Sequence, residues 1–113
     1  MALEYTIGDE LGDGSLYWLD GDGALINFTT GYTFSLKVYD STDTAFFTKT
    51  TGMTGAAGSL TTPTPNLVVA WATSAELSTI TTAGLYPLRI VATRTADSKT
   101  RTFRGSIRIL STT

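Results

Sequence analysis

The sequence predicts an all-β protein, folded as a two-layer sandwich of seven to eight mainly antiparallel strands with one short helical turn near residues 74–80. Apolar residues recur at every second position in several short segments, which is the period of a half-buried strand. Threonine and glycine are common whereas lysine and glutamate are sparse, as is typical of β-proteins. At 113 residues the chain forms a single domain, 1–113, long enough to bury its own core.

The N-terminal third contains two predicted strands and a sharp turn. Apolar and polar residues alternate over residues 3–7, so the first strand has one buried and one exposed face. Leu16–Leu19 offers four consecutive apolar residues before Asp20–Gly23, the strongest turn signal in the chain. We therefore expect a hairpin that returns through Leu25 to Phe28.

The regular alternation over Tyr32–Val38 predicts the most clearly defined half-buried strand. The polar turn Asp40–Asp43 reverses the chain into a strand over Ala45–Thr51. Phe46 and Phe47 are adjacent and should point to opposite faces of that strand. One of them would then need a second surface to cover it.

The centre of the chain contains a strand, a short helical turn and a second strand. Met53–Pro65 has little apolar content and is expected to be a mobile loop. Asn66–Ala72 and Leu85–Ala92 are short, apolar and β-branched, so both are expected to be buried strands. The helical turn near 74–80, which Gly84 follows as a stop, makes the connection long enough to cross from one sheet to the other.

The C-terminal part predicts a polar hairpin tip at Thr95–Thr100 and a terminal strand over Phe103–Leu110. Short strands separated by polar turns are typical of an immunoglobulin-like β-sandwich. The predicted core residues all lie at the apolar positions of these segments. They are Tyr32, Phe34, Leu36, Val38, Leu67, Val69, Trp71, Leu77, Ile80, Tyr86, Leu88, Ile90, Phe103, Ile107 and Ile109.

Composition argues against an enzyme. The chain contains no cysteine and no histidine, which removes thiolate and imidazole chemistry together with the commonest metal ligands. The Asp20–Gly23 turn could suggest a calcium loop, but Thr29 stands where an EF-hand requires a glutamate. We therefore expect a plain hairpin turn there, with no catalytic residue, cofactor or metal.

Charge is distributed unevenly along the chain. Residues 1–56 carry eight acids and two lysines, a formal charge of −6, whereas residues 57–113 carry six bases and two acids, a charge of +4. If the acidic residues of the first half and the basic residues of the second half lie on different faces of the fold, copies of the protein could dock head to tail. The candidate partner-binding residues are Asp9, Glu10, Asp13, Asp20, Asp22, Arg89, Arg104 and Arg108.

The sequence also contains residues that could serve two other binding functions, namely sugar binding and nucleic-acid binding. Trp18, Trp71 and Tyr86 could form an aromatic platform for sugars, but each lies in an apolar run and a core role is favoured. Arg89, Arg104 and Arg108 occupy the polar phase of the last two strands and are expected to share their outer face if those strands pair. This stripe of arginines lacks interleaved aromatic residues and belongs to a net-acidic protein, so no nucleic-acid partner is expected. No segment has the roughly 20 apolar residues of a membrane span or the pattern of a secretory signal. We expect synthesis in a cytoplasm and no membrane partner.

Several of these motifs resemble the immunoglobulin-like domain at the N-terminus of the phage baseplate upper protein family and of related small phage structural proteins. The resemblance covers nearly the whole chain but depends on short motifs. They are the strand ending in Gly8-Asp9, the Asp22-Gly23 turn leading to Leu25-Ile26-Asn27, the strand Tyr32–Val38, the block Leu77–Ile80 followed by Gly84-Leu85-Tyr86, and the strand Phe103–Leu110.

The resemblance implies a non-enzymatic structural protein of the virion. Family members usually continue into arm-forming or receptor-binding segments, and this sequence stops after the domain, so we expect a stand-alone accessory subunit. The expected role is capsid decoration, as a minor head protein that is made in the host cytoplasm and binds the major capsid protein, with homo-oligomer formation on the virion as a further expectation. The alternatives are a small tail or baseplate accessory protein that binds tail or baseplate subunits, and a carbohydrate-binding module.

Overall fold

The computed structural model describes residues 2–7, 13–70 and 80–111, and within these ranges the protein is all-β. Eight strands form two sheets, an arrangement consistent with a β-sandwich. The strands are β1 Ala2–Thr6, β2 Gly14–Leu16, β3 Tyr32–Tyr39, β4 Ala45–Lys49, β5 Met53–Gly55, β6 Leu67–Val69, β7 Gly84–Arg94 and β8 Thr100–Leu110.

The larger sheet has five strands in the order β1-β8-β7-β3-β4, and the smaller has three in the order β2-β6-β5. Strands β7 and β8 form a long hairpin in which Leu88 lies opposite Gly105. Strand β1 pairs with β8 in parallel, whereas all other strand pairs are antiparallel. The N-terminal strand thus extends the edge of the hairpin that ends the chain.

The predicted crossing between sheets is present, because β6 belongs to the small sheet and β7 to the large one. The helical turn expected near 74–80 lies outside the described residues except for Ile80, which is buried. Trp71 and Leu77, two of the expected core residues, also lie outside the described part of the chain.

The core lies between the two sheets. Nine of the expected core residues are fully enclosed there: Leu36, Val38, Leu67, Val69, Ile80, Leu88, Ile90, Ile107 and Ile109. Tyr32, Phe34, Tyr86 and Phe103 are half-buried and pack against this cluster. The core also takes in seven residues beyond the predicted set: Tyr5, Leu16, Trp18, Ile26, Phe28, Phe47 and Ala92.

The expectation of a loop over Met53–Pro65 is wrong for Met53–Gly55, which form strand β5. The segment begins with strand β5 and continues into a tight turn, in which Ser59 and Thr64 exchange two backbone hydrogen bonds of 2.9 and 3.0 Å. Gly55 lies so close to Phe28 that an added Cβ would be 2.2 Å from the Phe28 carbonyl oxygen. Low apolar content here therefore reflects close backbone packing, because small residues let two segments approach each other.

Phe46 and Phe47 do not point to opposite sides of the sheet as expected. The β3–β4 register shifts after the pair Val38–Phe47, so that Tyr39 lies opposite Ala45 and Phe46 is an extra residue. A bulge of this kind turns the extra side chain out of the normal alternation. Phe47 is consequently buried in the core while Phe46 also packs against it, and no second surface is needed.

Candidate functional site

The outer face of the five-stranded sheet carries a row of cations. Arg89 on β7 lies opposite Arg104 on β8 and, on its other side, opposite Lys37 on β3. We call Lys37, Arg89, Arg104 and Arg108 the arginine face. Like charges in directly opposed positions destabilise a sheet unless other groups compensate them. The face is therefore suited to bind negative charge.

Arg89 is compensated within the protein itself. Its Nη2 atom donates a hydrogen bond to Asp43 Oδ1 at 3.0 Å, and its guanidinium carbon lies 4.3 Å from the centre of the Tyr39 ring. The side chain of Arg89 is 27% exposed, so this pair is partly screened by solvent. Arg104, in contrast, is exposed and forms no ion pair with any residue in the described ranges.

Arg108 lies beside an exposed apolar residue. Its neighbours in register are Leu85 on β7 and Glu4 on β1. Leu85 is 64% exposed, and these three residues line a shallow groove of about 320 Å³ together with Leu3 and Ser106. The groove therefore combines a cation, an anion and an uncovered leucine on one surface.

The candidate acidic residues divide into structural and exposed ones. Asp20 Oδ1 accepts hydrogen bonds from the backbone N–H groups of Asp22 (2.8 Å) and Ala24 (3.1 Å), so this carboxylate stabilises the turn. Leu19 and Leu25 pair across that turn, as expected for a hairpin. Asp22 is itself exposed at the tip.

Asp13 is also exposed and begins a stripe that runs through strand β2 and the residues after it, which sequence reasoning missed. Asp13, Ser15, Tyr17 and Leu19 are exposed, while the intervening residues are buried. We call these four residues the β2 stripe; Tyr17 is 41% and Leu19 44% exposed. The four consecutive apolar residues Leu16–Leu19 conceal this alternation in the sequence, although the polar residues at positions 13 and 15 signal it.

Asp9 and Glu10, the remaining acidic candidates, lie outside the described residues. The described residues contain no group of three or more carboxylate, histidine or cysteine side chains able to hold a metal ion. Within the same ranges, no helix is long and apolar enough to cross a membrane.

Trp18 is not part of an exposed aromatic platform. It is 7% exposed, and its ring centre lies 5.3 Å from that of Phe28 and 5.8 Å from that of Phe103. Tyr86 is half-buried, with its ring 5.0 Å from that of Phe46. Trp71, the third member of the considered platform, lies outside the described residues.

A separate hollow of about 420 Å³ is lined by Phe28, Tyr32, Phe34 and Met53, with threonines around them. Its lining is aromatic and hydroxylic, and Tyr32 supplies its one ionisable group. The arginine face and the β2 stripe each combine charge with exposed apolar area. Comparisons of the chain with protein-family models, with curated proteins and with solved structures find no match.

Proposed function

We propose that this chain is an immunoglobulin-like, non-enzymatic structural subunit of a phage virion, which decorates the head by binding neighbouring coat subunits. The strand order supports the immunoglobulin-like part of the proposal. In variable-type immunoglobulin domains one sheet contains strands G, F, C and C′, and the other contains B, E and D. The orders β8-β7-β3-β4 and β2-β6-β5 in this chain follow the same pattern.

Tyr86 gives this assignment a second support. Many immunoglobulin-like domains have a tyrosine near the start of strand F whose hydroxyl bonds to backbone just upstream. Tyr86 is the third residue of β7, the equivalent strand, and its hydroxyl lies 3.1 Å from the Thr82 carbonyl oxygen and 3.3 Å from that of Ala83. The hydroxyl therefore anchors the chain where it enters this strand.

The observation that carries the docking role is the row formed by Lys37, Arg89 and Arg104. Aligned cations that face solvent cost stability in the isolated domain, and an acidic partner would relieve that cost. Arginine is also enriched in the energetically dominant parts of protein interfaces. The exposed Leu85 beside Arg108 adds apolar area that a partner would bury. An acidic patch on a neighbouring coat subunit suits this surface.

The test uses virions and empty shells purified from the phage that encodes the chain. Labelled protein is incubated with both, and bound copies are counted after sedimentation and located by electron microscopy. We expect saturable binding to heads. Arg104→Glu with Arg108→Glu should weaken it at least tenfold, corresponding to roughly 1.4 kcal/mol or more.

Arg101→Glu is the matched control, because Arg101 lies on the same strand but in the opposite phase of the alternation. This variant should bind as the parent does. Binding to tails alone would replace the head assignment by the tail or baseplate alternative. Absence of the protein from all particles, together with no binding to them, would overturn the proposal.

A further inference from the structure

We propose that the arginine face of one copy binds the β2 stripe of a second copy, so that the protein assembles head to tail. This inference deepens the proposed function, since it takes the arginine face as the docking surface and names its partner. The two surfaces lie on different sheets, so neither covers the other within one copy. A contact between two different surfaces is heterologous, and it generates rings or open rows.

The two surfaces match position by position. From Arg104 to the end of β8 the residues in the outward phase are Arg104, Ser106, Arg108 and Leu110, and along the β2 stripe they are Asp13, Ser15, Tyr17 and Leu19. Both series advance two residues at a time, which is about 6.6 Å per step in extended chain. Aligned in the same direction, they place an acid against an arginine, serine against serine, tyrosine against arginine, and leucine against leucine.

Each of these pairings has a physical basis. Asp13 is exposed and would supply the negative charge that Arg104 lacks among the described residues. Tyr17 against Arg108 would repeat a contact already present in this fold, where the Arg89 guanidinium lies 4.3 Å from the Tyr39 ring centre.

Leucines complete the match at the far end. Leu19 is 44%, Leu110 37% and Leu85 64% exposed, and docking would remove this apolar area from water. Asp22, exposed at the tip of the adjoining turn, adds negative charge at that end of the stripe. The contact therefore joins charge complementarity to apolar burial along the whole stripe.

An acidic residue beside the arginine face, Glu4, opposes the contact. Glu4 lies opposite Arg108 in the β1–β8 register and would repel an approaching acidic stripe. Removing this charge should therefore tighten self-association. The effect is specific to an acidic occupant, because an occupant without negative charge would gain nothing from the change.

Sedimentation equilibrium of the purified protein alone tests the inference. We expect reversible association that weakens with added salt. Arg104→Glu and Asp13→Arg should each weaken it at least tenfold, while an equimolar mixture of the two variants should associate more tightly than either alone. Glu4→Gln should strengthen association, and Arg101→Glu should leave it unchanged.

A chain that stays monomeric at all concentrations, or that associates independently of these charges, would overturn self-docking. Shell binding by such a monomer through Arg104 would leave the proposed function standing. Conversely, charge-dependent self-association without any binding to virions or shells would support self-docking and count against the virion role. Melting temperatures equal to that of the parent show that the variants are folded.

Discussion

The side-chain carboxamide of Asn66 forms two hydrogen bonds with the backbone of Trp18: Trp18 N–H donates to Oδ1 at 2.8 Å, and Nδ2 donates to the Trp18 carbonyl at 2.9 Å. Nδ2 also donates to the Ile26 carbonyl at 2.8 Å. The backbone pairing of β2 with β6 ends at Leu16 and Leu67, and Asn66 is fully buried just beyond it. The side chain thus takes the place of backbone pairing and joins both arms of the hairpin to the small sheet.

Asn66→Ala should destabilise the protein by about 3 kcal/mol, because it removes the side-chain partner of the Trp18 N–H and of the Ile26 carbonyl and leaves the Trp18 carbonyl with the Ile26 N–H alone. Urea unfolding followed by circular dichroism measures this loss. Asn27→Ala is the control, since Asn27 is exposed and, among the described residues, its side chain accepts hydrogen bonds only from Thr29. Equal urea midpoints for the two variants would contradict the stabilising role of the Asn66 side-chain hydrogen bonds.

Trp18→Ala should cost roughly 3 to 5 kcal/mol, because the ring fills the core between Phe28 and Phe103. Tyr17→Ala, one residue away on the exposed face, should change the free energy of unfolding by less than about 0.5 kcal/mol. Chemical denaturation of both variants gives the comparison. A Trp18 variant as stable as the parent would contradict the buried position and reopen an exposed aromatic platform.

Gly55→Ala should destabilise by about 1 to 3 kcal/mol, because the new methyl group would meet the Phe28 backbone oxygen at 2.2 Å and its Cβ at 2.7 Å. Backbone cannot rotate away as the end of a flexible side chain can. Gly21→Ala is the matched change, since nothing lies within 4 Å of a Cβ at that glycine. Thermal melts that rank Gly21→Ala as the more harmful substitution would contradict the close packing of β5 on Phe28.

Asp40 should titrate below its ordinary pKa of 3.8, because the Thr42 hydroxyl and the N–H groups of Thr44 and Thr42 donate hydrogen bonds to its carboxylate. A lowered pKa in the folded state means that the carboxylate stabilises the fold above about pH 3.8. That contribution is lost as the pH falls through the folded-state pKa. Carbon-detected NMR titration of the carboxyl group measures the value directly.

Thr42→Val, which keeps the shape and the N–H but removes the hydroxyl, should raise the pKa of Asp40 toward 3.8. Ser41→Ala removes a neighbouring hydroxyl that is not among the groups that donate to the Asp40 carboxylate, and it should leave the titration unchanged. An Asp40 pKa that does not respond to Thr42→Val would show that the hydroxyl bond is not the main cause.

Strand periodicity explains which parts of the fold could be anticipated. The alternation over Tyr32–Val38 and Phe103–Leu110 has the period that a pleated strand imposes on any buried face, so local pattern alone identified both segments. Asp20 was recognised as a turn residue by the same local logic. The exposed β2 stripe was not anticipated, because Tyr17 and Leu19 lie inside the apolar run Leu16–Leu19, whose alternate exposure is seen only in the structure.

The sequence by itself determined an all-β chain, most of its strand positions and the unequal distribution of its charges, because these depend on residue type and on neighbours a few positions away. Only the tertiary structure decided the parallel pairing of β1 with β8, the bulge at Phe46 and the opposition of Arg89 to Arg104. Strand register depends on which segments far apart in the chain lie side by side. A one-residue slip in any pairing would preserve the local pattern while placing different side chains together.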